Sequence, residues 1–140
     1  MAKAHIDPYL YFDGRCEEAI EFYRKAIGAE VQMMMRFSEA PPPPDQGAMP
    51  PGDKIMHAAV RIGDSVIFAS DGFARGQASF AGITLSLSLA TDAEAKRAFD
   101  ALAEGGEVRQ ALGKTFFASS FGMLADRFGV PWMVLVPTNP

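Results

Sequence analysis

The sequence predicts an α+β fold made of two consecutive βαβββ modules, and three observations carry that prediction. The first is an internal repeat. Residues 10–31 lie over residues 87–108 at an offset of 77, which places Leu10 on Leu87, Glu17 on Glu94, Phe22 on Phe99, Ala26 on Ala103, Gly28 on Gly105, Glu30 on Glu107 and Val31 on Val108. The second is a pair of amphipathic stretches, each stopped by glycine. The third is a switch to period-two alternation between and after them. Two such modules, each with a helix against one sheet face, give curved mixed sheets whose remaining faces close on a ligand, on the other module or on another chain. The expectation is a single domain of 140 residues with a concave cavity, module one over about 5–70 and module two over about 82–137.

Each element has its own signal. Cys16, Ala19, Ile20, Phe22, Tyr23, Ala26 and Ile27 form one helical stripe, so a helix is expected over 15–27 with Gly28 as its stop. Thr91 followed by Glu94 reads as a capping box for a second helix over 92–104, with Ala95, Ala98, Phe99 and Leu102 as its buried stripe and Gly105-Gly106 as its end. Positions 55–62 alternate, with Met56, Ala58, Val60 and Ile62 on one face and His57, Ala59 and Arg61 on the other. Gly63-Asp64 then turns the chain into Val66 to Ala69, a hairpin. Positions 83–89 set Ile83, Leu85, Leu87 and Leu89 against Thr84, Ser86 and Ser88. Val130 to Val136 reads as a buried strand after the turn Asp126-Arg127-Phe128-Gly129, with Trp132 packed under a helix and facing away from Met133. The prolines between Ser38 and Asp53 exclude continuous strand or helix, leaving a lid or a solvated loop tip.

Composition removes several function classes. The net charge is −4 and the cationic residues are scattered, so there is no footprint for nucleic acid. No apolar run has the length of a membrane span. The lone cysteine, Cys16, has no internal disulfide partner, which points to a reducing, cytoplasmic setting.

The order of elements resembles the glyoxalase, bleomycin-resistance and extradiol-dioxygenase superfamily, the vicinal-oxygen-chelate proteins, and within it the PhnB-like group. The residues that carry the likeness are Pro8-Tyr9-Leu10 with Phe12 and Gly14, the run from Cys16 to Tyr23, Ile55 and His57 with Arg61-Ile62, Ser70-Asp71-Gly72, and Asp126 to Met133. Members of the group carry the label of ubiquinone-type methyltransferases, yet no strand here is followed by a glycine-rich cofactor loop. The resemblance implies one divalent metal held by His and Glu side chains inside the cavity, where it would act as a Lewis acid. Carried over residue by residue, the ligand positions fall near Asp7 (with His5 on the same face), on His57, on Thr84 and on Met133. A neutral hydroxyl binds such an ion weakly and a thioether prefers soft ions. The expectation is therefore no cofactor, with a divalent metal on His5, Asp7 and His57 as the alternative.

The inferred cavity face comprises Tyr9, Tyr11, His57, Arg61, Thr84, Ser86, Phe117, Ser119 and Met133. His57 is the one candidate acid-base, since an ordinary imidazole exchanges a proton near neutral pH; equally, it is a fold-shaping histidine. Cys16 reads either as a small buried hydrophobe or as a thiol activated by a helix N-terminus. The segment 113–122 reads as an irregular pocket wall or a dimer contact, and Ser70, Asp71 and Phe73 are placed to do the same from module one. Three functions follow: a small-molecule binding protein, a lyase, isomerase or transferase using His57, and a ligand-free scaffold. A homodimer is expected in each case, because open sheet edges and exposed aromatics need a cover.

Overall fold

The computed structural model describes residues 4–41, 50–72 and 76–138. The chain divides into two compact units, Met1–Ala78 and Ser79–Pro140. Unit one runs β1 (Tyr9–Tyr11), α1 (Cys16–Ile27), β2 (Glu30–Arg36), β3 (Ile55–Ile62) and β4 (Ser65–Ser70), with a 3-10 turn at Phe37–Glu39. Unit two runs β5 (Leu85–Ser88), α2 (Asp92–Ala103), β6 (Glu107–Gly113), β7 (Ala118–Ala125) and β8 (Pro131–Pro137). Each forms a four-stranded mixed sheet, in the orders β1-β4-β3-β2 and β5-β8-β7-β6. In both, the first strand pairs parallel with the last and the other pairs are antiparallel. The repeat read from the sequence is thus a repeat of topology: β2 moved by 77 residues falls on β6 end to end.

In unit one, α1 buries Cys16, Ala19, Ile20 and Tyr23, facing Ala58, Val60 and Ala69, which are all fully buried on the sheet. Burying a side chain of Ile or Val size contributes about 1.5–3 kcal/mol. Gly28 closes the helix at φ +68°, where its N–H donates to the Arg24 carbonyl at 3.2 Å; a residue with a Cβ would strain that left-handed turn. The first turn lacks a cap from its own Arg15 side chain. Asp71, just beyond β4, supplies it instead: Oδ1 accepts the Gly14 and Cys16 N–H groups at 2.7 and 2.8 Å. Its Oδ2 accepts Ile55 N–H at 2.8 Å, so one buried carboxylate fixes both the helix start and the first residue of β3.

In unit two, α2 packs on β7 and β8. Its N-cap is the expected Thr91, whose Oγ accepts Glu94 N–H at 3.1 Å while the hydroxyl donates to the Glu94 carboxylate at 3.0 Å. That second bond replaces the backbone contact of a full capping box. Ser119 and Ser120 both donate to Asp92 Oδ1 at 2.7 Å, tying β7 to the first turn of α2. Trp132 is buried, and its Nε1–H donates to Asp126 Oδ2 at 2.9 Å across the turn that precedes β8.

Two boundaries differ from the sequence expectation. The strand expected over 83–89 is only Leu85–Ser88, which leaves Thr84 outside it. The stretch expected to be irregular over 113–122 contains the start of β7, Ala118–Ala125. The glycine that suggested a loop is there for packing: a Cβ on Gly122 would sit 2.6 Å from a Phe99 ring carbon and 3.0 Å from the Leu112 Cα. Of the proline-rich segment, positions 42–49 lie outside the described residues, as does Phe73. Its ends are joined by backbone bonds from Phe37 N–H to the Lys54 carbonyl and from Ser38 N–H to the Gly52 carbonyl, both 3.0 Å.

Candidate functional site

Strand register decides which side chains share the sheet face that turns away from α1. Tyr9 pairs with Phe68, Phe68 with Ala59, and Ala59 with Met33, giving one row across four strands. In the next row Tyr11 pairs with Ser70, and His57 pairs with Met35. The alternation within each strand then places Leu10, Met34, Ala58 and Val60 on the helix side. The open face of sheet one is therefore aromatic and thioether-rich, with His57 at its centre.

The rings form a connected floor. Tyr9 stacks on Tyr11 with centroids 4.9 Å apart and planes 21° apart. His57 lies 5.5 Å from Tyr9 and 5.4 Å from Phe68, and Tyr9 lies 5.9 Å from Phe68. The Tyr9 Oη and His57 Nδ1 share a hydrogen bond of 2.8 Å. Burial pushes the Tyr9 phenol above its ordinary pKa, with Tyr11 and Cys16 adding to the effect and a Ser70 hydrogen bond opposing it. The phenol thus stays protonated at neutral pH, and its bond to Nδ1 fixes the imidazole while Nε2 is left as the ring nitrogen outside that bond. Tyr9 is 39% and Tyr11 54% exposed, far more than rings of their size in a core. Arg61 stands on the same face of β3, where its guanidinium bonds Glu30 at 2.6 Å.

Asp71 positions this floor without touching it. By holding Ile55 N–H it sets the phase of β3 two residues before His57, and Asp71 N–H donates back to the Ile55 carbonyl at 2.8 Å. Ser70 and Asp71, expected as ligand contacts, are both buried and used in this scaffold. Cys16 is fully buried, and desolvation, followed by the nearby Asp71 and Glu17 charges, pushes its thiol far above the ordinary range. The small-hydrophobe reading of Cys16 is the one its environment fits.

The candidate residues of unit two do not form one cluster. Ser86 on β5 pairs with Met133 on β8, which pairs with Met123 on β7, so these three share the open face of sheet two. Phe117 packs edge-on against Phe121 and Phe116, with centroids at 5.0 and 5.1 Å. Ser119 is committed to Asp92, whose carboxyl it and Ser120 hold below the usual pKa range. Thr84 is exposed and precedes the strand.

A hard divalent ion does not fit the donors of unit one. His5 Nδ1 and Asp7 Oδ2 pair with each other at 2.7 Å, with the His5 side chain 77% exposed, whereas the contacts of His57 are with Tyr9 and Phe68. Among the described residues no three of His, Cys, Asp and Glu gather in a way that would hold a metal. Unit one also carries an open groove of about 530 Å³ between α1 and β2, floored by Ile20, Ala29, Val31 and Met34. Its acidic rim is neutralised, since Glu17 pairs with Arg36, Glu21 with Arg24 and Glu30 with Arg61.

Of the residues expected on the cavity face, Tyr9, Tyr11, His57 and Arg61 share this side of sheet one, and Phe68, Met33 and Met35, which were not expected there, share it too. Phe68 lies in the expected hairpin strand, where antiparallel pairing with Ala59 sets its face; the parallel pairing that brings Tyr9 beside it is what local sequence does not specify. Met33 and Met35 are placed by a bulge, the register slip between Val31 and Met33.

A family model described as 3-demethylubiquinone-9 3-methyltransferase matches residues 4–135. The chain is 41% identical over 138 residues to Protein YjdN of Escherichia coli (strain K12), covering 94% of each chain. Among solved structures it is similar to protein PA1353 from Pseudomonas aeruginosa, at 42% identity, TM-score 0.83, and coverage of 98% of this chain and 100% of that one. The PhnB protein from Bacillus cereus shares the fold at 24% identity and TM-score 0.78, covering 95% and 99% of the two chains. A glyoxylase/bleomycin resistance protein/dioxygenase domain from Frankia sp. EAN1pec shares the fold at 11% identity and TM-score 0.61, covering 99% and 98%.

Proposed function

The chain belongs to the 3-demethylubiquinone-9 3-methyltransferase family, the PhnB-like group of the vicinal-oxygen-chelate superfamily, and from that membership we propose that it binds a small, ring-bearing organic molecule on the open face of sheet one, without the divalent metal typical of the superfamily. The observation that carries this reading is the connected ring floor of Tyr9, Tyr11, His57 and Phe68, with both tyrosines exposed and the other two rings half-buried. Rings of this kind supply contact area to a flat ligand at small entropic cost, and the Tyr9–His57 pair supplies a fixed polar group for orientation. The family description names a methyl transfer, but the two strand-to-helix connections, 12–15 with one glycine and 89–91 with none, are not glycine-rich loops of the kind that cradle a nucleotide-like methyl donor.

The test is a thermal-shift screen with a library of small phenols, aromatic carboxylates and quinones. A ligand at 100 times its dissociation constant stabilises by about 2.7 kcal/mol. A rise of several degrees in Tm that is lost in Tyr9→Leu and His57→Leu supports the reading. A library with no shift, or a shift unchanged in both variants, overturns it.

The 2.8 Å Tyr9–His57 bond favours one second reading. A histidine held by a phenol can pass a proton at Nε2, so a lyase, isomerase or transferase with His57 as acid-base is the alternative. It predicts product formation from a bound ligand, lost in His57→Gln.

A homodimer is part of the same proposal. Sheet edges β2 and β6 expose Val31, Met33 and Val108, and Phe116 is almost wholly exposed; such edges are commonly covered by a symmetric partner. Sedimentation at micromolar concentration tests it, and a monomer refutes it. No described helix is long and apolar enough to cross a membrane. The single, buried Cys16 supports a reducing, cytoplasmic setting.

A further inference from the structure

We propose that the open face of sheet one also carries a site for a soft, monovalent cation of the Cu(I) or Ag(I) type, ligated by the thioethers of Met33 and Met35 and by Nε2 of His57. This does not rest on the organic ligand proposed above, and it differs from the superfamily's divalent site in donor softness, charge and residues. Met35 is the direct cross-strand partner of His57, and Met33 is the partner of Ala59 on the same face. Directly opposed side chains have Cβ atoms about 4.5–5.5 Å apart. Methionine, unbranched with three rotatable bonds, has the reach to bring its sulfur to the imidazole from either position. Two thioethers and an imidazole select a soft ion and discriminate against Mg(II), Ca(II) and Mn(II).

Three further features fit a ligating role. The Tyr9 hydroxyl occupies Nδ1 at 2.8 Å, so with the hydrogen on Nδ1 donated to Tyr9 Oη, Nε2 presents its lone pair. This outer partner is what metal-binding histidines ordinarily have. Met33 is 40% exposed, which gives an ion a route in. The Phe68 ring, with its centroid 5.4 Å from that of His57, offers a π face to a bound cation. The competing soft donor is out of play, because Cys16 is fully buried with its thiol held protonated. Met34 lies between the two proposed ligands in sequence but on the helix face, as its place in the α1/β2 groove requires. That makes it an internal control.

The experiment uses the whole chain, labelled with carbon-13 at the methionine methyls, and titrates it with Ag(I), which is diamagnetic and redox-inert. The expected result is saturation at one ion per chain, with the Met33 and Met35 methyl signals moving and the Met34 signal unmoved. The Met34 signal of each metal-free variant reports whether unit one is folded, and the Met123 and Met133 signals report on unit two. In an anaerobic competition with a Cu(I)-specific chelator, Met35→Leu and His57→Leu should each abolish one-equivalent binding. Tyr9→Phe, which removes only the outer hydrogen bond, should weaken it about 10- to 100-fold, and Cys16→Ser should leave it unchanged. Failure of Met33 and Met35 to shift, a Met34 shift of equal size, or loss of binding in Cys16→Ser overturns the proposal. An organic-ligand screen that fails while the Ag(I) site fills, or the reverse, separates the two readings of this face.

Discussion

Replacing Asp71 tests how the fold builds the site, because one buried carboxylate joins three parts of unit one. Asp71 is 1% exposed and accepts N–H groups from Gly14, Cys16 and Ile55 at 2.7–2.8 Å. In Asp71→Ala all three donors lose a charged acceptor, each bond being worth about 1.5–3 kcal/mol net. Because the three share one side chain and the backbone can relax toward water, the sum is discounted to about 3–5 kcal/mol. That is a large part of the total stability of about 5–15 kcal/mol expected of such a domain. In Asp71→Asn the oxygen can still serve Gly14 and Cys16, but the amide nitrogen meets the Ile55 N–H donor to donor, so a loss of about 2 kcal/mol is expected. With a urea slope of about 1.5 kcal/mol per molar, a loss of 3 kcal/mol lowers the midpoint by about 2 M. Urea unfolding followed by far-UV circular dichroism gives the midpoint, and amide hydrogen exchange locates the damage. The Gly14, Cys16 and Ile55 amides should lose protection first, ahead of those in β7. An Asp71→Ala midpoint within about 0.3 M of wild type, with those three amides still protected, would refute this account of Asp71.

Three more outcomes follow from individual contacts. Gly122→Ala drives a Cβ into Phe99 and the Leu112 backbone, so a loss of about 1–3 kcal/mol is expected by thermal unfolding; an unchanged Tm contradicts the packing. Asp92 has its folded pKa depressed by the Ser119 and Ser120 hydroxyls, so its contribution is present above the unfolded carboxylate range and lost as pH falls through the lower folded value. The Tm gap between wild type and Asp92→Ala should therefore be full at pH 7 and narrow below about pH 4; a gap that widens in acid reverses the sign and the argument. The Cys16 thiol, buried and protonated, should react with a disulfide reagent roughly a hundredfold or more slowly in the folded protein than in urea. Equal rates would place it at the surface.

What was legible in the sequence was what local physics controls. Helical stripes, Gly28, the Thr91 cap and the alternation from Ile55 to Ile62 all report interactions within a few residues, and each element lies where it was expected. β7 was hidden because Gly122 imitates a loop signal while answering to Phe99, a contact across the fold. The site was half legible for the same reason. Tyr9, Tyr11 and His57 declare their faces by alternation, but Phe68 meets them through two strand pairings, antiparallel with Ala59 and parallel with Tyr9, and Met33 and Met35 only through a bulge in β2. Ser119 is expected on the cavity face because nothing near it in sequence reveals Asp92 as its acceptor. The scaffold role of Asp71 depends on partners at positions 14, 16 and 55. No pattern within the Ser70-Asp71-Gly72 motif encodes them.

In the function proposed above, the aromatic face of sheet one, rather than the groove between α1 and β2, receives the ligand. Chemical-shift mapping with the best organic hit from the screen tests it most directly. The ring and amide signals of Tyr9, Tyr11, His57 and Phe68 should move together and saturate at one equivalent, while Ile20, Ala29 and Val31 stay still. Saturable shifts confined to those three groove residues, with the four rings unmoved, would contradict it.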